Sequence, residues 1–335
     1  MKTEPPTAKR DRLESRLVAW LIQERERLGL SARSASEVAV VWKGMRVQRC
    51  KTAIIFDGPR RDPALVVKLS RGPLTDDLLE AEAQNLQQLA SLPIPSRIPK
   101  LLARMDLEGI QVLVREYVSG IPWDSILDHF KPSQRVTLTA QLVEKMTSLL
   151  GGVEVCPEAE MEADAAEVVR QRLLEYQGSS RPESLEQEAI RRALAVVSGA
   201  RGLLPWVKWQ NGDLVLSNLL SLPEGGLALI DWEHARSPGL PLVDAIIFAI
   251  NLEWYFSSLQ FPSEILDRLI QGMIAQVRRS IGLGPDEASA LSVYTFMDIL
   301  LRENKGQRDD PLLRNLRSNF QAFLRRERFR GLPWG

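Results

Sequence analysis

The sequence predicts an α+β protein in two parts: a small antiparallel sheet carrying one helix, then a larger, mainly helical region. Three observations carry this. Between Glu37 and Val118 the runs EVAVVWKG, KTAIIFDG, ALVVKLS, KLLARMD and IQVLVREYV are short, rich in β-branched residues and separated by Gly, Pro and charged turns, as antiparallel strands are. Between the third and fourth runs, LTDDLLEAEAQNLQQLASL is helical in pattern from near Thr75 until it must stop before Pro93. Beyond Gly120 the composition turns helical, broken only by a short β-rich passage between Val207 and Asp231.

The elements follow in order. Over residues 11–28, Leu13, Leu17, Trp20, Leu21 and Leu28 recur close to a helical period and Gly29 marks the stop, so residues 1–36 read as a helical extension. Residues 37–117 then form a sheet lobe of three strands, one helix and two strands, the last two joined by the turn Leu107 to Gly109. Residues 118–335 form the helical lobe, with the boundary near Glu116 to Gly120.

Composition excludes several functions. Lys plus Arg equals Asp plus Glu at 43 each, so no global field draws the chain to nucleic acid or an anionic membrane. Cys50 and Cys156 are the only cysteines, which excludes a disulfide framework or a cysteine zinc site and fits a reducing cytoplasm. The charged N-terminus is unlike a secretory signal, and no apolar run approaches membrane-spanning length. With His129 and His234 the only histidines, the chemistry must rest on carboxylates, amides and lysine.

The informative passage is WQNGDLVLSNLLSLPEGGLALID, Trp209 to Asp231. If Pro223 to Gly226 form a hairpin connection, Asn218 and Asp231 become cross-strand neighbours with Cβ atoms roughly 5 Å apart. An amide oxygen and a carboxylate at that spacing can share one Mg²⁺, which takes oxygen ligands at about 2.0–2.1 Å. Asp213, at the preceding turn, is left to accept a proton. Upstream, Lys68 lies in the apolar strand LVVKLS, where an ammonium needs a carboxylate partner. Of Glu80 and Glu82 on the following helix, Glu82 shares a face with Leu79, Leu86 and Leu89, and Glu80 points away.

The run NGDLVLSNLL…LALIDWE resembles the HGD-x₄-N and IDW/F-E/G pattern of aminoglycoside phosphotransferases and choline kinases, whose fold is protein-kinase-like. The resemblance implies a kinase using ATP and Mg²⁺, with Asp213 acting on the substrate hydroxyl and Asn218 and Asp231 holding the metal. It also implies that Asp244 braces the catalytic loop. EAEAQNLQQL resembles the family helix whose glutamate pairs with the ATP-binding lysine, here Glu82 and Lys68, and VLVREYVSG resembles the segment linking the lobes, so the backbone of Glu116, Tyr117 and Val118 would read adenine.

Departures from the family pattern shape the alternatives. Asn211 replaces the family histidine, and the loop VVWKGMRVQRCK has a single glycine, Gly44, with Lys43, Arg46 or Arg49 as possible phosphate contacts. These favour a degenerate kinase fold that binds nucleotide or a protein partner without turnover. The joint retention of Lys68, Glu82, Asp213, Asn218 and Asp231 counts against that reading, and the lack of an APE-type segment after Asp231 counts against a protein kinase. The expected substrate is a small-molecule hydroxyl compound, a sugar or alcohol, with an aminoglycoside as the alternative. Residues 301–335 carry nine basic and four acidic residues, a net of +5 that would repel a polycation, while the acids of 154–167 weigh the other way. The stretch EWYF at 253–256 reads as core.

Overall fold

Apolar alternation produces a five-stranded antiparallel sheet in the order β1-β2-β3-β5-β4: β1 (Val38–Trp42), β2 (Lys51–Asp57), β3 (Asp62–Leu69), β4 (Leu101–Asp106) and β5 (Gln111–Glu116). The computed structural model describes residues 6–42, 50–58, 62–70, 72–157, 161, 163–180, 182–200, 204–257, 259, 261–303, 317–318, 320–321 and 324. The chain divides into two compact units, Met1–Ile121 with Leu220–His234, and Pro122–Leu219 with Ala235–Gly335. The first contains the sheet.

Period-two alternation gives the sheet two unlike faces. On one, Ala53, Ile55, Leu65, Val67, Leu69, Val112 and Val114 form a core with Leu17, Leu21 and Leu28 of α1 (Pro6–Gln23) and α2 (Arg25–Leu28). The opposite face presents Lys68, Leu113 and Arg115, because Lys68 pairs with Leu113 and Val66 with Arg115. Leu113 packs there against Leu79 and Ala83 of α3 (Pro73–Leu89). β4 and β5 are joined by a two-residue turn, Glu108 and Gly109 both at positive φ (57° and 82°), with Leu107 and Ile110 exchanging backbone hydrogen bonds. That is the primed turn whose twist matches the strands.

A second sheet runs β6 (Ile121–Pro122), β7 (Leu219–Ser221), β8 (Leu227–Leu229), and the chain changes unit at β6 and at β7. Gly120 permits a close approach there, since a Cβ would lie 2.9 Å from Leu220 Cβ. β8 also belongs to the first unit through Arg97, whose N–H donates to Leu227 O and whose carbonyl accepts from Leu229 N.

The second unit is helical: α4 (Trp123–His129), α5 (Pro132–Gly151), α6 (Ala165–Ser179), α7 (Ser184–Gly199), α8 (Val243–Ser257), α9 (Ser263–Ser280) and α10 (Pro285–Glu303). α5 packs on α9, and α10 on α6 and α7. In the 253–256 stretch only Phe256 is core; Trp254 is 55% exposed and Tyr255 donates to Asp128 of α4. The expectation of a buried EWYF is corrected to this extent, because the stretch lies at the end of α8 where one helix face meets water. No described helix is long and apolar enough to cross a membrane.

Candidate active site

In the first unit a desolvated charge cluster forms between β3, β5, α3 and the segment after β8. Lys68 Nζ donates to Glu82 Oε2 at 2.5 Å and lies 2.8 Å from Asp231 Oδ1 and 3.6 Å from Glu233 Oε2. Arg115 lies 3.5 Å from Glu82 Oε1 through Nε and 3.4 Å from Asp231 Oδ1 through Nη2. Lys68, Arg115 and Glu82 are all buried. Burial alone would push the Lys68 ammonium down; the carboxylates of Asp231, Glu82 and Glu233 outweigh burial and hold its pKa above the usual lysine value, against opposition from Arg115. The helix face thus selects Glu82 for Lys68, while Glu80 points to the rim and pairs with Arg104.

Sequence reasoning reserves Asp231 for a metal and does not find Arg115 or Glu233. Here Asp231 is at the same time a partner of two buried cations. A signal for Arg115 exists in the sequence: it stands in the apolar run VLVRE of β5 as Lys68 does in LVVKL, and antiparallel register sets both on one sheet face. Asp231 takes a left-handed backbone, φ 61°, which aspartate tolerates better than most residues and which often marks functional sites. Asn85 of α3 secures the following turn by donating to Trp232 O at 2.8 Å.

The proposed hairpin pairing of Asn218 with Asp231 needs correction in form. β7 begins at Leu219 and β8 ends at Leu229, so neither residue is a strand position; Asn218 closes a 3₁₀ turn, Leu216–Asn218, and Asp231 lies two residues beyond its strand. The physical reason is that each strand is only three residues long, too short to carry a register that far.

In the second unit the catalytic-type loop is braced from several sides. Asp244, near the N-terminus of α8, accepts the backbone N–H of Asn211 at 2.7 Å and of Gly212 at 2.8 Å. Burial pushes the Asp244 carboxyl up to about 6, even though those two N–H groups and Arg302 favour its charged form. Gly212 holds φ 77°, and its carbonyl accepts Arg302 Nη1 at 2.9 Å. Asn211, fully buried, turns its side-chain oxygen to the N–H of Asp213 at 3.1 Å. Asn218 Nδ2 donates to Asp213 O and to Asp213 Oδ2, both at 3.0 Å, which fixes the carboxylate and turns the amide oxygen of Asn218 the other way. Asn251 of α8 accepts from Leu216 N at 2.9 Å. Neither Arg302 nor Asn251 was singled out from the sequence, since each acts on the loop across a long sequence separation.

Of the linking segment, Glu116 N–H donates to Lys100 O and Tyr117 N–H to Ala64 O; the Glu116 side chain pairs with Arg97 at 2.5 Å. Gly44, Lys43, Arg46 and Arg49 lie outside the described residues, as do Glu158, Glu160, Glu162 and every basic residue after Arg302 except Arg317, which pairs with Glu186 at 2.7 Å. The described acids of the 154–167 stretch have local duties: Glu154 pairs with Lys208, Asp164 caps α6, and Glu167 binds Arg170. No three His, Cys, Asp or Glu side chains gather into a metal site among the described residues.

A five-stranded antiparallel sheet unit joined to a helical unit, with a buried lysine–glutamate pair in one and a braced Asp-x₄-Asn loop in the other, defines a phosphotransferase with the protein-kinase-like fold. The model of the phosphotransferase enzyme family matches residues 54–281, more than half of the chain, and the chain belongs to that family. Solved structures agree in fold. An aminoglycoside 2′-phosphotransferase-IIIa mutant in its GDP complex has a TM-score of 0.53 at 13% identity, covering 93% of this chain and 99% of its own. The gentamicin complex of APH(2″)-IIa has a TM-score of 0.52 at 11% identity, covering 97% of each chain. Choline kinase LicA from Streptococcus pneumoniae has a TM-score of 0.46 at 18% identity, covering 86% of this chain and 94% of its own. No curated protein matches the sequence.

Proposed function

We propose that the chain transfers the γ-phosphate of ATP to a hydroxyl of a small metabolite such as a sugar or alcohol. The observation that carries this reading is the first unit's charge cluster, two buried cations against Glu82, Asp231 and Glu233. Folding alone does not call for it: desolvating several charges is costly, and apolar residues of similar volume would serve stability as well. In this reading Lys68 binds nucleotide phosphate and Glu82 orients it. The backbone of Glu116 to Val118 meets adenine; with the N–H groups of Glu116 and Tyr117 donated to Lys100 and Ala64, the N–H of Val118 is the one offered.

Asp213 holds the acceptor hydroxyl and takes its proton on the carboxylate that Asn218 orients. Asn218, through its amide oxygen, and Asp231 fit Mg²⁺, whose donors are oxygens, and bound there Mg²⁺ would neutralise charge on the nucleotide phosphates. An aminoglycoside acceptor draws support from the GDP- and gentamicin-bound relatives in fold, but the acids of the 154–167 stretch that would receive its ammonium groups are already engaged by Lys208, Arg170 and the α6 N-terminus.

The test is single-turnover phosphorylation of a metabolite panel alongside nucleotide titration. Asp213→Asn should lower turnover by roughly 100-fold or more while nucleotide affinity stays within a few-fold. Nucleotide binding with no turnover of sugars, choline or kanamycin-like compounds by the unaltered protein would favour instead a nucleotide-binding protein without catalysis.

A further inference from the structure

In the helical unit a cleft of about 510 Å³ is bounded by α6, α10 and Arg236. α6 contributes Glu167, Gln171, Arg172 and Glu175, and α10 contributes Tyr294. The carboxylate of Asp298, 2% exposed, receives three guanidinium groups: Arg172 Nε at 2.7 Å, Arg302 Nε at 3.2 Å and Arg236 Nη2 at 3.4 Å. One carboxylate does not balance three guanidiniums. Glu175 offsets Arg172 at 2.6 Å, but its side chain is 55% exposed, where such a pair is weak. Glu167 is spent on Arg170, which grips both its oxygens at 2.7 and 2.5 Å.

The donors show the same excess. Arg172 uses Nε and Nη1, and Arg236 uses Nη2 on Asp298 and Nη1 on the Tyr294 hydroxyl at 2.7 Å. Arg172 Nη2 and Arg236 Nε make no hydrogen bond among the described residues, and neither is a buried orphan, so water reaches them. Guanidinium groups with spare N–H donors suit the paired oxygens of a carboxylate or phosphate.

The cleft is tied to the Asp213 loop by two short routes. The backbone of Arg236 exchanges hydrogen bonds with Gln210, three residues before Asp213, at 2.9 and 3.0 Å. Asp298 also holds Arg302, which donates to the carbonyl of Gly212, the residue before Asp213. We propose that this cleft binds the acceptor through an anionic group, a carboxylate or a phosphate, held between Arg172 and Arg236. The phosphotransferase reading enters only in calling that ligand the acceptor.

Calorimetric titration of glycerate, glycerol 3-phosphate and glycerol into the full chain saturated with ADP and Mg²⁺ tests this, with the thermal shift produced by ADP recorded on the same samples. At least one anion should bind tenfold or more tightly than glycerol, and the arm that responds tells carboxylate from phosphate. Arg236→Gln and Arg172→Gln should each bring that anion down to the level of glycerol with the ADP shift unchanged. Arg236→Lys, which keeps a charge beside Asp298 but loses the fork, guards against loss of fold and should retain part of the preference. An ADP shift with no preference for either anion, or a preference that survives both glutamine variants, overturns the cleft and leaves the phosphotransferase reading standing. Anion preference lost in the variants, in a protein that shows no ADP shift, upholds the anion site and overturns the phosphotransferase reading instead.

Discussion

The residue whose environment says most is Glu82. Two glutamates stand two positions apart on α3, yet one is buried against Lys68 and Arg115 and the other sits at the rim beside Arg104. Glu82→Gln removes a buried charge from two buried cations, and with Asp231 and Glu233 still present the cost should be about 3 kcal/mol, the low end for breaking a buried pair. Glu80→Gln removes an exposed pair and should stay within about 0.5 kcal/mol. Urea unfolding measures both, and phosphotransfer should follow the same ranking; a larger loss in Glu80→Gln than in Glu82→Gln would contradict the helix-face argument. This pairing was legible because a helical period decides which glutamate faces the sheet. Arg115 and Glu233 were not, since their part in the cluster depends on strand register and on the turn after β8.

At the scale of elements, the loop from Asn211 to Asn218 shows what spacing alone can and cannot tell. The Asp-x₄-Asn interval correctly marks two residues that bond directly, Asp213 and Asn218. Their supports, Asp244 and Asn251 from α8 and Arg302 from α10, arrive from helices more than thirty residues downstream, and of these only Asp244 was visible, through family resemblance. The strands β7 and β8 were legible as apolar runs around PEGG, while their length was not, because three-residue strands leave no alternation to count. The raised pKa of Asp244 makes the loop's contribution to stability depend on pH. An acid whose folded pKa, about 6, lies above its ordinary 3.8 binds more protons folded than unfolded between those values. Its contribution is therefore fully present below about pH 4 and is lost as pH rises through 6, by roughly 1 kcal/mol per pH unit. Asp244→Asn abolishes this titration. The unfolding free energy of the unaltered protein minus that of the variant should fall between pH 4.5 and 7, and a flat difference would place the Asp244 pKa in the ordinary range.

For the whole molecule, the consequential feature is that the sheet unit is discontinuous. A division of the sequence by composition ends the sheet lobe near residue 117, since everything later looks helical, but residues 220–234 return to it. That return supplies Asp231 and Glu233 to Lys68, Asp231 to Arg115, the two backbone bonds of Arg97 with Leu227 and Leu229, and the carbonyl of Trp232 to Asn85. A fragment of residues 1–121 loses all of these at once. Glu82 then faces both Lys68 and Arg115 alone, and a buried cation without its partner costs about 3–5 kcal/mol, a large share of the 5–15 kcal/mol that stabilises an ordinary domain. The five-stranded sheet retains its own ladder and the Leu17–Leu21 core, so secondary structure should persist while cooperative unfolding is lost. Joining residues 220–234 to the fragment through a flexible linker should restore a cooperative transition, because the segment brings its carboxylates with it. The same joined fragment carrying Asp231→Ala and Glu233→Ala should fail to regain it. Thermal unfolding followed by circular dichroism and tryptophan fluorescence reads each case, and a cooperative transition in residues 1–121 alone would show that the returning segment contributes to the charge cluster without being needed for the fold.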